Sequence, residues 1–272
     1  MTKTATSRDG TRIAYDELGE GPPLVLVGGA FNTRTFGPNG GLAPLLAEYF
    51  TVINYDRRGR GDSTDTAPYA VEREIEDLDA LIEAVGGSAC LCGWSSGGVL
   101  ALKAAAAGSI VKKLALYEPP FVVPGPGRVP PEDFVSRLNH LAAADRRAAM
   151  AKFYFAEVMG MPRPLVSAMP LMRRPWKRIK AVAHTAPYEA ALVEDNLRGR
   201  PLRAQQWAAA TMPTLVITGA KTDGVLLEAG RALVDVLPNA RRYELAGQGH
   251  NVSMKALAPV VEEFFAGEVR AR

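Results

Sequence analysis

The pentapeptide at residues 93–97, Gly-Trp-Ser-Ser-Gly, constrains the fold of this chain more than any other feature. It follows a short apolar segment at residues 89–92, typical of the end of a buried strand, and it precedes a run of good helix formers at residues 99–107. A serine at such a switch from strand to helix is held on a sharp turn with its hydroxyl above the sheet. The pattern therefore predicts a reactive hydroxyl at Ser95, with the amide of Ser96 placed to donate to an oxyanion.

The composition is that of an ordinary globular protein, because 47% of the 272 residues are hydrophobic and 22% are charged. The net charge of +3 gives no indication of a nucleic-acid partner. No apolar run is long enough to span a membrane, and residues 1–10 lack the apolar segment of a signal peptide. We therefore expect a cytoplasmic protein.

Two cysteines are present, Cys90 and Cys92, and they lie one residue apart on the presumed buried strand. Side chains at that spacing face the same side of a strand, so we expect no disulfide between them. Two thiols without matched partners also argue against a metal site.

Strands and helices alternate along most of the chain, which predicts an α/β fold with a mostly parallel, doubly wound sheet. Asp9-Gly10 between the first two strands indicates a hairpin. Eight strands are expected, at residues 2–7, 12–18, 24–27, 51–55, 89–92, 113–117, 214–218 and 241–245, with further helices at residues 42–49, 71–85, 226–237 and 257–265.

The segment after the sixth strand has a different pattern. Residues 121–131 are rich in Pro and Gly, and residues 132–206 are helical in character with no clear strand. We expect residues 122–212 to form a helical lid, inserted into an α/β core made of residues 1–121 and 213–272.

Ser95 needs a general base, because a hydroxyl is a poor nucleophile at neutral pH. The chain has three histidines, and two of them, His140 and His184, fall in the predicted lid. His250 follows the last strand in a loop with flanking glycines, and ligands of open parallel sheets bind beyond the carboxyl ends of the strands. His250 is therefore the predicted base.

A catalytic histidine needs a carboxylate that fixes its tautomer and stabilises its cation. Two acidic residues stand at the carboxyl ends of predicted strands: Glu118 after the sixth and Asp223 after the seventh. We favour Asp223. Glu118 is the competing candidate, which could instead bind loop amides or reach the histidine from the other side.

Together these motifs resemble the α/β-hydrolase fold family. The resemblance implies that Ser95 is the nucleophile, Asp223 the acid and His250 the base. It also implies an oxyanion hole made of the backbone amides of Ala30 and Ser96. The residues that carry it lie at 24–30, 56–63, 93–97, 214–223 and 249–250.

The chain departs from the family pattern at Gly28-Gly29, where many members have His-Gly. The oxyanion hole needs only the backbone donor at Ala30, but the hydrogen bonds that support this loop must differ. A serine at position 95 argues against the haloalkane dehalogenase and epoxide hydrolase branches, which the resemblance associates with an aspartate there.

The expected activity is that of a serine hydrolase acting on a small ester, lactone or thioester, without a metal or organic cofactor. Phe31 and Trp94 adjoin the site and could line an acyl pocket, with core packing as the alternative, and Glu118 is a further pocket candidate. The same site could serve acyl transfer, carbon–carbon bond cleavage, perhydrolysis or cyclisation. A third possibility is a non-catalytic ligand-binding protein. The sequence names neither the substrate nor the oligomeric state.

Overall fold

The computed structural model describes residues 2–125 and 127–267. Met1 and residues 268–272, in the predicted core, and Pro126, in the predicted lid, lie outside the described residues. The strands are β1 (Thr2–Thr6), β2 (Arg12–Leu18), β3 (Pro23–Val27), β4 (Thr51–Tyr55), β5 (Ala89–Trp94), β6 (Val111–Tyr117), β7 (Thr214–Gly219) and β8 (Ala240–Leu245).

These strands form one eight-stranded sheet in the order β1-β2-β4-β3-β5-β6-β7-β8. The hairpin of β1 and β2 is antiparallel, and β2 also pairs antiparallel with β4. Every other neighbouring pair is parallel. The predicted mostly parallel sheet is confirmed, and the carboxyl ends of its six parallel strands lie at one edge.

The helices before β6 are α1 (Asn39–Leu46), α2 (Val71–Ala84) and α3 (Ser96–Ala107), and those after β7 are α10 (Gly224–Val236) and α11 (Met254–Ala266). Helix α1 begins and ends three residues earlier than predicted. Its buried residues include Leu42 and Leu46, whereas Tyr49 is exposed beyond its end.

Two apolar clusters cover the two faces of the sheet, as alternation along buried strands requires. Val25, Leu91 and Leu116 face the helices on one side. Cys90 and Cys92 both belong to the cluster on the other side, where they are free thiols. Burial raises the pKa of Cys92 to about 12, so this thiol stays protonated at neutral pH.

Between β6 and β7 lie α4 (Phe134–Ala143), α5 (Arg147–Phe153), α6 (Arg163–Ala168), α7 (Arg173–Val182), α8 (Ala186–Val193) and α9 (Ala204–Trp207). We call residues 134–207 the helical segment. Most of its apolar residues form a third cluster that also takes in Phe31 of the core. None of the helices in the described residues is long and apolar enough to cross a membrane.

The two glycines of the pentapeptide are required by close backbone approaches. A Cβ added to Gly97 would lie 2.2 Å from the carbonyl oxygen of Val27, and one added to Gly93 would lie 2.5 Å from the Cα of Gly98. Neither neighbour is the end of a flexible side chain, so the sheet or α3 would have to move.

Replacing Gly97 with alanine is therefore expected to lower the free energy of unfolding by about 1–3 kcal/mol, the usual cost of overpacking. Urea unfolding followed by circular dichroism measures the change. Gly224→Ala is the matched control, because a Cβ at Gly224 meets nothing within 4 Å and should leave the free energy of unfolding unchanged. Equal stability of the two variants would contradict the prediction.

Candidate active site

Backbone strain is concentrated at the carboxyl ends of three neighbouring strands. Among the described residues, four non-glycine residues have positive φ: Phe31 (60°), Ser95 (51°), Glu118 (44°) and Asp145 (44°). The first three lie just after β3, β5 and β6, which are adjacent in the sheet. Such conformations are uncommon and tend to occur at functional sites. This edge of the sheet is therefore the candidate site.

Ser95 joins β5 to α3 on the turn that the pentapeptide predicts. Its N–H donates to the carbonyl oxygen of Tyr117 at 2.9 Å, and its own carbonyl accepts from the N–H of Gly98 at 2.8 Å. These two bonds fix the turn between the sheet and the helix. Ser95 is partly exposed, whereas Trp94 and Ser96 on either side are buried. The side chain at this position is the one accessible from solvent.

His250 is held by a buried carboxylate. Its Nδ1 lies 2.7 Å from Oε2 of Glu118, which is 1% exposed. The other oxygen of Glu118 accepts from the N–H of Gly219 at 2.7 Å and from the hydroxyl of Thr222. A carboxylate fixed in this way favours the tautomer with the proton on Nδ1, which leaves Nε2 free to accept a proton.

The loop that carries His250 is fastened to the sheet by Tyr117. The Tyr117 hydroxyl donates to the carbonyl oxygen of Gly249 at 2.6 Å. Burial raises the pKa of Tyr117, and the nearby Glu118 carboxylate raises it further, so the hydroxyl remains a donor. The Trp94 ring stacks on Tyr117 at 4.6 Å between centroids and contacts the His250 ring edge-on at 6.2 Å. Trp94 is 8% exposed and belongs to an apolar core cluster, so it packs in the core beside the histidine.

Asp223, the acid favoured from the sequence, does not contact His250. It is the N-cap residue of α10, where its Oδ1 accepts from the N–H of Leu226 at 3.1 Å. The three residues between the end of β7 and Asp223 carry it away from the strand end to the start of the helix. The prediction of an Asp223–His250 pair is thus corrected, because Glu118, the competing candidate, occupies that place.

Ser95 and His250 project from the same edge of the sheet. Within residues 2–125 and 127–267, no hydrogen bond joins the Ser95 hydroxyl to the imidazole. Catalytic hydrogen bonds of this kind are often long without substrate and tighten when it binds.

The loop after β3 runs against the Ser95 turn. A Cβ added to Gly29 would lie 2.9 Å from the carbonyl oxygen of Trp94 and 3.3 Å from Cβ of Ser95. Only glycine allows the two backbones to approach so closely. The Ala30 N–H, one residue further, and the Ser96 N–H, at the start of α3, donate to no group of the described residues. Both amides belong to segments that adjoin the Ser95 turn, since Ala30 follows Gly29 and Ser96 follows Ser95.

Phe31 connects this loop to the helical segment. It is 2% exposed, and its ring lies 5.3 Å from that of Tyr154 and 5.0 Å from that of Phe155, centroid to centroid. Aromatic side chains of the helical segment therefore reach the edge of the sheet where the site lies. Among the described residues, no group of three or more His, Cys, Asp or Glu side chains is arranged to hold a metal ion.

Comparison with known proteins shows the family to which this fold belongs. The model of the alpha/beta hydrolase family matches residues 24–263. A pimeloyl-[acyl-carrier protein] methyl ester esterase from Stenotrophomonas maltophilia is 32% identical over 243 residues, which cover 86% of this chain and 88% of that protein.

The solved structures that are similar over nearly the whole chain include the following two. An alpha/beta hydrolase from Sphaerobacter thermophilus is 45% identical with a TM-score of 0.87, over 97% of this chain and 100% of that one. The enol-lactonase of Burkholderia xenovorans is 24% identical with a TM-score of 0.70, again over 97% and 100%, and shows the fold alone.

Proposed function

This chain belongs to the alpha/beta hydrolase family, and from this premise we propose that it is a serine hydrolase that cleaves a small ester, lactone or thioester. The observation that carries the proposal is the buried Glu118 carboxylate on Nδ1 of His250, at the same sheet edge as the strained Ser95 turn. A carboxylate, an imidazole and a hydroxyl in this order are what nucleophilic attack on a carbonyl needs.

In the acylation half of the reaction, Nε2 of His250 takes the proton of the Ser95 hydroxyl as Oγ attacks the carbonyl carbon. The negative charge that develops on the carbonyl oxygen accepts hydrogen bonds from the amides of Ala30 and Ser96. Glu118 stabilises the imidazolium. His250 then gives its proton to the leaving alcohol or thiol, which departs and leaves the acyl group on Ser95.

In the deacylation half, His250 takes a proton from water, and the hydroxide oxygen attacks the acyl carbon. The same two amides hold the second oxyanion. Ser95 leaves as the alkoxide and recovers its proton from His250, so the enzyme returns to its starting state and the carboxylic acid carries one oxygen from solvent. None of these steps needs a metal or an organic cofactor.

We further propose an ester of a small alcohol as the substrate class, and a lid over residues 122–212, the predicted range, which contains the helical segment. The relative that is 32% identical is a methyl ester esterase, which supports a small leaving group. The rings of Tyr154 and Phe155 against Phe31 support an apolar cover over the acyl side of the site. These contacts join the helical segment to the loop that carries the Ala30 amide.

Turnover in heavy-oxygen water tests the reaction class. Methyl and p-nitrophenyl esters of graded acyl length are incubated in H₂¹⁸O, and the products are analysed by mass spectrometry. We expect one ¹⁸O atom in each molecule of acid released. Transfer of the acyl group to an added alcohol or amine, with no ¹⁸O in the product, would favour the acyl-transfer alternative. The absence of any turnover across the series would favour a binding protein.

A further inference from the structure

Two buried arginines donate hydrogen bonds to the loop that carries the Ala30 amide. Nη1 of Arg57 donates to the carbonyl oxygen of Gly28 at 3.3 Å, and Nη1 of Arg60 donates to that of Gly29 at 2.9 Å. Both guanidinium groups are 2% exposed or less. These bonds supply the support that the Gly28-Gly29 departure from the family pattern left open.

The bond from Arg60 has a direct chemical consequence. The carbonyl of Gly29 and the N–H of Ala30 belong to one peptide unit, which is planar. Fixing the oxygen therefore fixes the direction of the N–H. A cation that hydrogen-bonds the oxygen also polarises the peptide unit, so the N–H becomes a stronger donor.

Arg60 is held in turn by the helical segment. Its Nη2 donates to Oε1 of Glu189, and its Nε donates to the hydroxyl of Thr185 at 3.2 Å. Glu189 lies on α8, 129 residues along the chain from Arg60, and is fully buried. The same oxygen of Glu189 is 2.6 Å from Nη1 of Arg57. Both arginines that support the loop thus contact one carboxylate from the helical segment, and Arg57 also pairs with Glu74 of the core.

Helix α8 is also fastened to the core by its tyrosine. The Tyr188 ring stacks on that of Tyr69 at 3.9 Å between centroids, and the Tyr188 hydroxyl donates to Oδ2 of Asp65 at 2.8 Å. The Tyr69 hydroxyl donates to Oε1 of Glu74, the second carboxylate that pairs with Arg57. These contacts fix the position of α8 on the core, and with it the position of Glu189.

From this network we infer that Arg60 is a positioning residue for the oxyanion hole, with Glu189 of the helical segment holding it in place. The inference rests on the proposed serine-hydrolase function. It implies that the Ala30 amide takes its active direction only when α8 is seated on the core. The helical segment then contributes to transition-state stabilisation, because the buried side chain of Glu189 holds the buried side chain of Arg60.

A second buried ion pair, between Arg58 and Asp77, serves as a control. Arg58, between the two arginines in sequence, pairs with Asp77 at 2.7 Å, and both side chains are buried to 2% exposure or less. Its other partners are Asp9 and the carbonyl oxygen of Arg73. None of these groups is in the loop at residues 28–30. Breaking this pair tests the cost of losing a buried ion pair alone.

The experiment compares Arg60→Met and Arg60→Lys with Asp77→Asn, using hydrolysis of a small ester and inhibition by a trifluoromethyl ketone, which forms an oxyanion on Ser95. Arg60→Met is expected to lower kcat about 10- to 100-fold, less than the loss of a whole oxyanion-hole donor, with KM changed less than about threefold. Inhibitor affinity should fall by the same factor as kcat. Arg60→Lys, which keeps the charge and a donor, should recover part of the loss.

Asp77→Asn should lower the melting temperature, because it breaks a buried ion pair. It should leave kcat within about threefold, because neither Arg58 nor Asp77 bonds to the loop at residues 28–30. An equal loss of kcat in Asp77→Asn and Arg60→Met, or an unchanged kcat in Arg60→Met, would overturn the inference. So would a loss that appears in KM alone.

A measurement without turnover separates this inference from the proposed function. The carbonyl ¹³C resonance of Gly29 and the amide resonance of Ala30 are compared by NMR in wild type, Arg60→Met and Asp77→Asn. Both resonances should shift in Arg60→Met and stay in place in Asp77→Asn. Resonances that do not respond to Arg60→Met would overturn the inference. An enzyme that hydrolyses no ester but shows the shifts would instead overturn the proposed function.

Discussion

Ser95→Ala is expected to lower kcat for ester hydrolysis by about 10⁵- to 10⁶-fold, the size of loss that follows removal of a serine nucleophile. No acyl-enzyme can form without Oγ, and the remaining activity would come from binding and the oxyanion hole alone. The variant should keep the wild-type melting temperature, because the Ser95 turn is held by backbone bonds to Tyr117 and Gly98. Steady-state kinetics and thermal unfolding measure the two quantities.

Ser253→Ala is the control for this prediction. Ser253 is exposed, and it contributes its backbone N–H, not its hydroxyl, to a bond with Gln248. Its replacement should leave kcat within about twofold, as for a surface position. Retention of more than about a hundredth of wild-type activity in purified Ser95→Ala would eliminate Ser95 as the nucleophile.

Glu118→Gln is expected to lower kcat by about 10³- to 10⁴-fold. An amide in place of the carboxylate can keep its oxygen towards the Gly219 N–H and the Thr222 hydroxyl. Its NH₂ group would then donate to Nδ1 of His250, which forces the proton onto Nε2. The wrong tautomer cannot accept the proton of Ser95, and the analogous change in a serine protease costs about 10⁴ in kcat.

Asp223→Asn provides the comparison that decides between the two acids. Asparagine is as good an N-cap as aspartate, so α10 should keep its stability and kcat should change less than about threefold. The reverse pattern, with activity lost in Asp223→Asn and retained in Glu118→Gln, would contradict the assignment of Glu118. Steady-state kinetics of each variant with a small ester measures kcat and KM.

Local patterns in the sequence predicted most of the fold. The Asp9-Gly10 hairpin, the apolar run that became β3 and the alternation of strands and helices each depend on neighbouring residues. The Ser95 turn was predicted for the same reason, since strand, turn and helix are contiguous. The structure adds what contiguity cannot show: the carbonyl oxygens of Val27 and Gly28 lie where a side chain at position 97 would stand.

The acid could not be decided by position alone, because Glu118 and Asp223 follow β6 and β7, which are neighbours in the sheet. The separating factor is the distance along the chain from the strand end. Glu118 comes directly after β6, whereas Asp223 comes four residues after β7 and caps a helix. The sequence predicts a helix at residues 226–237, three residues beyond Asp223, whereas the helix begins at Gly224 and makes Asp223 its N-cap, a role typical of aspartate.

The support of the oxyanion loop could not be predicted for a different reason. Arg60 and Glu189 are 129 residues apart, and no periodicity connects an arginine in a loop to a glutamate on a helix of the predicted lid. Their pairing depends on how α8 packs on the core, including the stacked rings of Tyr69 and Tyr188. Long-range packing of this kind is determined by the whole fold.

Covalent labelling tests the central claim most directly. The purified protein is treated with a fluorophosphonate, digested and mapped by mass spectrometry, with Ser95→Ala and heat-unfolded wild type in parallel. We predict one phosphonyl group per chain, on Oγ of Ser95, in the folded wild type and in neither of the other two samples. A folded protein that takes up no label, or that takes it up at another residue in both wild type and Ser95→Ala, would contradict the account.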